Sequence, residues 1–261
     1  MNPYRARQIL REHGIRPRKR LSQSFLTSRK IARFMVDALE LTRQDRVYEV
    51  GTGLGALTYE AALRGVYTLT CEIDLRIAKI AKKFLPFPNI DIVVADALHI
   101  GIPPRITKVL SNVPYGISSK LLLMLLKEGT YELAVLTLQK EFAERLVAEP
   151  GTKKYGRLTV LAKLLAEVEV LRTVPSRAFY PPPEVESTIV KIKPKPSPKH
   201  VEIERLEETT RILFSQRRRK LVKVLRNKFN ASTVDLSPKL LEKRVYQLTP
   251  EELLEISRRI S

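Results

Sequence analysis

VYEVGTGLGALT, residues 47–58, joins an apolar run typical of a buried strand to three glycines and then to a helical pattern. Glycine permits a tight turn and lets a ligand approach backbone that a Cβ would otherwise cover. Gly51 and Gly53 are therefore candidate cofactor-binding residues. Because Gly51-x-Gly53-x-x-Ala56 also satisfies the dinucleotide fingerprint, a nicotinamide or flavin enzyme remains an alternative at this point, as does a plain glycine turn.

Strand and helix patterns alternate along most of the chain around this turn. Strands are predicted at 46–50, 67–72, 90–94, 108–111, 133–139, 167–173 and 186–192. Helical patterns of about ten residues separate many of these strands, which is typical of a parallel sheet covered by helices on both faces. The sequence therefore predicts an α/β fold with about seven strands.

The segment KIKPKPSPKH, residues 191–200, marks a domain boundary. Its three prolines and four lysines disfavour both a helix and a central strand. We expect a catalytic domain at 1–192, which carries the basic arm Arg16–Arg20 near its N-terminus, and a smaller domain of three or four helices at 193–261.

The charge of the chain favours a polyanionic partner. With 47 Lys and Arg against 28 Asp and Glu, the formal charge is +19, which a compact protein carries against its own repulsion. The longest apolar run, Leu121–Leu126, is far shorter than the roughly 20 residues that cross a bilayer. Nucleic acid is therefore a better expectation than a membrane, and the basic arm is a candidate contact.

The metal-ligating and redox side chains are few. One cysteine, Cys71, excludes an internal disulfide and suits a reducing cytoplasm. The three histidines are scattered and show no metal-ligand spacing, so no metal site is expected.

Two acidic residues follow the second and third strands of the pattern. Glu72 stands 21 residues after Gly51, where a carboxylate accepts hydrogen bonds from ribose hydroxyls in nucleotide-binding folds. Asp96 ends the next strand and could meet an adenine amino group. Each could also be an ordinary solvated residue, but their joint spacing favours a cofactor site.

The motif Asn112-Val113-Pro114-Tyr115 distinguishes between the alternatives. The N6 lone pair of adenine is delocalised into the ring and is a poor nucleophile. Oxygen acceptors on the Asn112 side chain and the Val113 main chain would favour a pyramidal nitrogen and stabilise its developing charge. Pro114 would stiffen the turn and Tyr115 would stack on an extruded base. These four residues are the predicted catalytic group.

Taken together, these pieces resemble the KsgA family of ribosomal RNA adenine dimethyltransferases. The resembling stretches are QSFL at 23–26, the glycine motif, CEID, VVADAL, NVPY, the stretch LQKEFAERLVAEPGTKKYGRLTVL, AFYPPPEVEST and FSQRRRKL. The resemblance implies a Rossmann-like class I methyltransferase fold with a seven-stranded, mostly parallel sheet and a small all-helical RNA-binding C-terminal domain. It also implies S-adenosyl-L-methionine as cofactor and methylation of two adjacent adenosines near the 3′ end of small-subunit rRNA.

Carried over by position, the implied cofactor contacts are Ser24, Leu26, Gly51, Glu72, Asp96 and Asn112. Two positions in and just before the QSFL stretch depart from the usual family pattern. Ser22 stands where the family usually has Gly, and Ser24 where it has Asn or His. Thr52 replaces a common Pro, which the glycine turn should tolerate.

The remaining candidates concern the target RNA. Phe179 is a candidate second stacking surface opposite Tyr115, and a core or turn aromatic is the alternative interpretation. Arg217, Arg218, Arg219 and Lys220 would crowd four cations onto little more than one helical turn, which is unfavourable unless an anion lies against them. We expect them to contact RNA phosphates, which position an RNA without specifying its sequence.

The expected partner is small-subunit rRNA or a pre-assembled small ribosomal subunit, and the expected state is a monomer. Two alternatives share the fold: a non-catalytic RNA-binding assembly or transcription factor, and a large-subunit rRNA adenine methyltransferase. The intact NVPY motif favours catalysis. A nicotinamide-dependent oxidoreductase lacks a candidate catalytic acid or base here and leaves the +19 charge unexplained.

Overall fold

A computed structural model of the chain describes residues 3–196, 200–229 and 236–260. Its strands are β1 (Phe25–Leu26), β2 (Arg46–Val50), β3 (Tyr67–Glu72), β4 (Ile90–Val94), β5 (Lys108–Asn112), β6 (Leu133–Gln139), β7 (Ala166–Val174), β8 (Phe179–Tyr180) and β9 (Ser187–Pro194). Its helices are α1 (Pro3–Glu12), α2 (Arg29–Asp37), α3 (Ala56–Ala62), α4 (Leu75–Phe84), α5 (Ala97–Ile100), α6 (Ser118–Glu128), α7 (Lys140–Leu146), α8 (Arg157–Leu165), α9 (His200–Phe214), α10 (Leu221–Phe229), α11 (Pro238–Glu242) and α12 (Pro250–Arg259).

A seven-stranded sheet in the order β4-β3-β2-β5-β6-β9-β7 organises the first part of the fold. Strands β4, β3, β2, β5 and β6 pair in parallel, and β9 pairs with β6 in the antiparallel direction. The strands β2, β5 and β6 are almost continuously buried, as expected when helices cover both faces. The predicted Rossmann-like sheet is confirmed.

A separate two-stranded sheet, which the sequence patterns did not predict, joins β1 to β8. Leu26 pairs with Phe179, and Phe25 with Tyr180. Thr27 extends the connection, because its main-chain N–H and its hydroxyl both donate to the carbonyl of Ala178, at 2.8 and 2.9 Å. This pairing brings residues that are about 150 positions apart in sequence into one place.

The chain divides into two compact units. The first contains residues 1–143 and 169–193, and the second contains 144–168 and 194–261. The break after Lys193 falls at the predicted boundary, but 144–168 belongs to the second unit rather than to the first. In that unit α8 packs on α9 and α12, and the Tyr155 hydroxyl donates to the Leu248 carbonyl at 2.7 Å. Residues 197–199 of the predicted boundary segment lie outside the described residues.

Helix α1 is part of the first unit's core. Its buried face, Ala6, Ile9 and Leu10, packs with Phe25, Leu54, Ile77 and Ile80. The opposite face is exposed, with Tyr4 at 78%. The helix therefore anchors the arm that follows it.

Leu10→Ala is expected to destabilise the protein by about 2–4 kcal/mol, since truncating a buried leucine removes apolar contacts and leaves a cavity. Tyr4→Ala on the same helix is the matched control and should change the free energy of unfolding by less than about 0.5 kcal/mol. Denaturant unfolding measures both. Equal effects of the two substitutions would show that α1 does not pack on the core.

Candidate active site

One cavity lies at the carboxyl ends of β2, β3, β4 and β5, all within the first unit. It is lined by every residue predicted to bind the cofactor or to act in catalysis, together with Phe179: Ser24, Leu26, Gly51, Gly53, Glu72, Asp96, Asn112, Val113, Pro114, Tyr115. In open α/β sheets, ligands bind in the crevice outside these strand ends. The fold therefore brings the predicted residues together.

The glycine turn forms one wall of this cavity. The N–H of Gly51 donates to the Cys71 carbonyl at 2.8 Å, and Gly51 has φ +83°. A Cβ at Gly51 would meet no atom within 4 Å, whereas one at Gly53 would lie 3.2 Å from the Phe25 ring. Gly51 thus leaves bare backbone facing open space, and Gly53 permits close packing of the turn on β1.

Glu72 joins the glycine turn to the end of β3. Its carboxylate accepts the N–H of Gly53 and the N–H of Asp74, both at 3.0 Å. Burial raises the pKa of the Glu72 carboxyl, and the neighbouring Asp74 charge adds to the rise. A carboxylate offers about four lone-pair sites, so Glu72 can still accept a hydroxyl of a ligand beside these main-chain bonds.

Asp74 links the end of β3 to the start of α4 beside Glu72, and the sequence analysis did not assign it a role. Its side chain caps α4 and accepts two bonds from the Arg76 guanidinium, at 3.0 and 2.7 Å. The hydrogen-bonded Arg76 lowers the pKa of Asp74 to about 2. Gln23 also donates to Asp74, at 3.3 Å. An acid directly before an amphipathic helix is a capping signal that could have identified it.

Glu49 is a second acid that the sequence analysis did not assign. It lies on β2, is 1% exposed and lines the cavity. The Thr58 hydroxyl donates to its carboxylate at 2.5 Å. Burial raises the pKa of Glu49 to about 8, so the carboxyl is largely protonated at neutral pH.

Asp96 and Ser24 have protein partners of their own. Asp96 caps α5 by accepting the N–H of Leu98 at 2.9 Å, and its other oxygen lies 3.3 Å from Nδ1 of His99. The Ser24 hydroxyl donates to the Pro181 carbonyl at 2.8 Å. Ser24 therefore fixes the entry to β1, beside the cavity.

Asn112 is held in one orientation. Its Nδ2 donates to the main-chain carbonyl of Ser24 at 2.9 Å, which leaves Oδ1 as the atom able to accept. The N–H of Val113 donates to the Thr137 carbonyl at 3.3 Å, and this bond extends the pairing of β5 with β6 into the turn. The motif is thus anchored on both sides.

The two predicted aromatic surfaces, Tyr115 and Phe179, both line the cavity. The Tyr115 hydroxyl and the Ser187 hydroxyl lie 2.6 Å apart, and burial raises the pKa of Tyr115. Phe179 is only 2% exposed and packs in the core beside Leu26. Its small exposed surface is on the cavity wall.

Ser22 occupies the left-handed region of backbone conformation, with φ +49°. A side chain with a Cβ is disfavoured there, which gives a physical reason for the glycine usual at this position in the family. Its hydroxyl would also lie 3.1 Å from a Cβ placed at Gly116, next to Tyr115. The departure noted in the sequence thus coincides with local strain.

The basic run Arg217–Lys220 lies in the second unit and does not line this cavity. The helical expectation for it was wrong, because α9 ends at Phe214 and the run forms the turn before α10. Arg217 donates to the carbonyls of Lys153 and Thr152, at 3.1 and 3.0 Å, and Lys220 pairs with Glu242. Arg218 and Arg219 are exposed.

The described part of the chain holds neither a metal-binding cluster nor a membrane-spanning helix. Residues 3–196, 200–229 and 236–260 contain no group of three or more His, Cys, Asp or Glu side chains placed to hold a metal ion. Within the same ranges, no helix has both the length and the apolar character needed to cross a membrane.

Comparison with known proteins identifies the family. The model of the family described as ribosomal RNA adenine dimethylase matches residues 14–261. The chain belongs to this family. A protein of Methanothermobacter thermautotrophicus named "Probable ribosomal RNA small subunit methyltransferase A" is 41% identical, and the match covers 97% of this chain and 94% of that protein.

Two solved structures of similar enzymes resemble this member of the ribosomal RNA adenine dimethylases. A dimethyladenosine transferase from Plasmodium falciparum superposes with a TM-score of 0.77 at 28% identity, covering 89% of this chain and 95% of that one. The 23S rRNA methyltransferase ErmE superposes with a TM-score of 0.68 at 30% identity, covering 90% and 99%. The predicted family and class of enzyme are therefore confirmed.

The buried Glu49 predicts a pH dependence of stability. An acid whose pKa rises from 4.5 in the unfolded chain to about 8 in the folded one binds its proton more tightly when folded. Its contribution to stability is therefore lost as pH rises from about 4.5 to about 8, by roughly 1 kcal/mol per unit. Glu49→Gln should remove this slope. Unfolding free energies at pH 5, 6.5 and 8 measure it, and parallel profiles for the two proteins would contradict the assignment.

Ser22→Gly is expected to stabilise the protein by about 0.5–1 kcal/mol. It removes the cost of a left-handed residue, roughly 1–2 kcal/mol, and partly offsets this gain by adding entropy to the unfolded chain. Ser28→Gly is the matched control, because Ser28 has φ −88° and caps α2, so that change should lower stability by a few tenths of a kcal/mol. Thermal and denaturant unfolding measure the stability of both variants. If Ser22→Gly lowered the free energy of unfolding more than Ser28→Gly did, the strain assigned to Ser22 would be contradicted.

Proposed function

We propose that this protein transfers methyl groups from S-adenosyl-L-methionine to the N6 atoms of two adjacent adenosines near the 3′ end of small-subunit rRNA. One observation carries the proposal: Gly51, Glu72 and Asn112, from three different strand ends, line a single cavity. The family match over residues 14–261 supports the reaction class.

The residues present suit the proposed cofactor. Gly51 offers backbone that no Cβ covers and that faces open space, and the Glu72 carboxylate, which lines the cavity, would accept a ribose hydroxyl. Asp96 and the neighbouring main chain would receive the adenine. Ser24, Leu26 and Gly53 would complete the walls, and Asn112 would lie near the reacting end. The bound cofactor supplies an electrophilic methyl group on a sulfonium.

Asn112 and Val113 are proposed to activate the target amine. The bond from Asn112 Nδ2 to Ser24 fixes the amide so that Oδ1 can accept one N6 hydrogen. The Val113 carbonyl would accept the other. Acceptors fixed in advance stabilise the positive charge that develops on nitrogen, and they need not reorganise during the reaction. This mechanism needs no general base at the moment of transfer.

Tyr115 and Phe179 are proposed to hold the extruded base. The contact between the Tyr115 and Ser187 hydroxyls fixes the ring of Tyr115 at the cavity wall. The phenol is neutral at physiological pH, since a tyrosine ordinarily ionises only near pH 10 and burial raises the pKa of Tyr115 further. Pro114, with φ −60°, restricts the turn between the acceptors and the ring.

The helical residues 193–261 are proposed to bind RNA, while 1–192 carries catalysis. Arg218 and Arg219 are exposed in the turn after α9 and can contact phosphates, and Arg217 and Lys220 add positive charge from fixed positions. The substrate would be small-subunit rRNA, free or in a pre-assembled subunit, and the reaction would take place in the cytoplasm.

Methylation of large-subunit rRNA is the second candidate function. It is favoured by the superposition on a 23S rRNA methyltransferase over 90% of this chain. The 41% identity to a small-subunit methyltransferase over 97% of the chain favours the first candidate. Incubation of the protein with labelled cofactor and either unmethylated subunit distinguishes the two.

Asn112→Ala is expected to slow methyl transfer by about 10²- to 10³-fold, the usual effect of removing one group that stabilises transition-state charge. Single-turnover transfer to unmethylated small subunits, followed by nucleoside analysis for N6,N6-dimethyladenosine, measures the rate and the product. Asn227→Ala, an exposed asparagine on α10, is the control. Undiminished transfer by Asn112→Ala would contradict the catalytic role, and transfer only to large subunits would favour the second candidate.

A further inference from the structure

A second groove, separate from the active-site cavity, lies in the first unit between the end of α1 and α4. Its lining consists of His13, Gly14, Ile15, Arg76, Lys79, Ile80, Lys82 and Lys83. Two isoleucines form an apolar floor, and four of the eight residues are Lys or Arg. Within the described chain, no Asp or Glu lines the groove.

The cations of this groove share one side of α4. Arg76, Lys79 and Lys83 are spaced by three and four residues and therefore face the same way. They span about 10 Å at 1.5 Å per residue. Like charges at these spacings repel one another and destabilise a helix, so the arrangement is unfavourable by itself.

Among the residues that the structure describes, the three lysines have no acidic partner to offset this repulsion. Lys79, Lys82 and Lys83 are exposed, and in residues 3–196, 200–229 and 236–260 none of them forms an ion pair or a side-chain hydrogen bond. Arg76 differs, because its guanidinium is held by Asp74 at 2.7 Å. The lysines thus present unneutralised charge at fixed places.

Asp74 connects this groove to the active-site cavity. Besides Arg76, it lies 3.7 Å from the guanidinium of Arg18 and accepts a bond from Gln23. Gln23 and Arg20 line the active-site cavity. A basic band therefore runs from the cavity mouth at Arg20, past Arg18 and Arg76, to the lysines of α4.

We infer that the α1–α4 groove binds the phosphate backbone of the RNA segment that flanks the target adenosine. Phosphates would lie against Lys79, Lys82 and Lys83, with the less polar sugar edge over Ile15 and Ile80. Such contacts position an RNA without reading its bases. The inference rests on the proposed function and adds to it a contact surface on the catalytic unit, distinct from Arg217–Lys220.

The test compares Lys79→Gln/Lys82→Gln/Lys83→Gln with a control of equal charge change, Arg43→Gln/Arg105→Gln/Lys193→Gln. The control residues are all exposed. Arg43 and Arg105 precede β2 and β5, and Lys193 lies near the start of β6. All three therefore lie at the amino-terminal ends of parallel strands, whereas the active-site cavity lies at the carboxyl ends. The probe is a labelled transcript of the 3′-terminal part of small-subunit rRNA. Its affinity for each full-length protein is measured from 50 to 300 mM salt.

Losing three phosphate contacts should reduce the slope of log affinity against log salt by about 2–3 and weaken binding at least about tenfold at low salt. The control should leave the slope close to that of the unmodified protein. Equal slopes for the two variants would overturn the inference. So would unchanged RNA binding with lost binding to phosphatidylserine vesicles, since the groove would then bind a membrane. Methyl transfer by the unmodified protein tests the proposed function separately.

Discussion

The bonds that Glu72 accepts from the main-chain N–H groups of Gly53 and Asp74 hold the active-site corner together. They join the turn after β2 to the end of β3, with both distances at 3.0 Å. A side chain at Gly51 would project into the cavity, and one at Gly53 would press on Phe25. The geometry of the cavity therefore depends on two small residues and one buried carboxylate.

Charge is distributed unevenly around this corner. Glu49 and Glu72 are buried, and desolvation raises the pKa of each, whereas Asp74 is kept ionised by Arg76. All three acids are buried, but Glu49 and Glu72 are surrounded by hydroxyls and main-chain donors, whereas Asp74 lies beside the cations Arg76 and Arg18. The formal charge of +19 favours association of the protein surface with a polyanionic RNA.

Much of the first unit could be predicted from sequence, because apolar strands that alternate with short helices leave few topologies. The bounds predicted for β2, β3, β4 and β6 agree with the structure. Local patterns could not show that 25–26 pairs with 179–180, since each partner is two residues long and the two are far apart in the chain. They also could not show that 144–168 belongs to the second unit, because helix periodicity reveals that a face is buried and not what covers it.

The candidate site was predictable to the extent that strand order determines it. Residues at the ends of adjacent parallel strands must meet at one edge, so Gly51, Glu72, Asp96 and Asn112 could be assigned from spacing. The partners that orient Asn112 and Tyr115 could not be, because Ser24 and Ser187 lie on elements far away in the sequence. The left-handed Ser22 and the turn at 215–220 likewise depend on tertiary packing rather than on local preference.

The most direct test of the account is a crystal structure of the protein with S-adenosylhomocysteine and an adenosine-containing oligonucleotide. We predict ribose hydroxyls on the Glu72 carboxylate, the cofactor sulfur beside the glycine turn, and N6 of adenosine within about 3 Å of Asn112 Oδ1 and the Val113 carbonyl oxygen. A cofactor bound elsewhere, or an adenine whose N6 faces away from both oxygens, would contradict it.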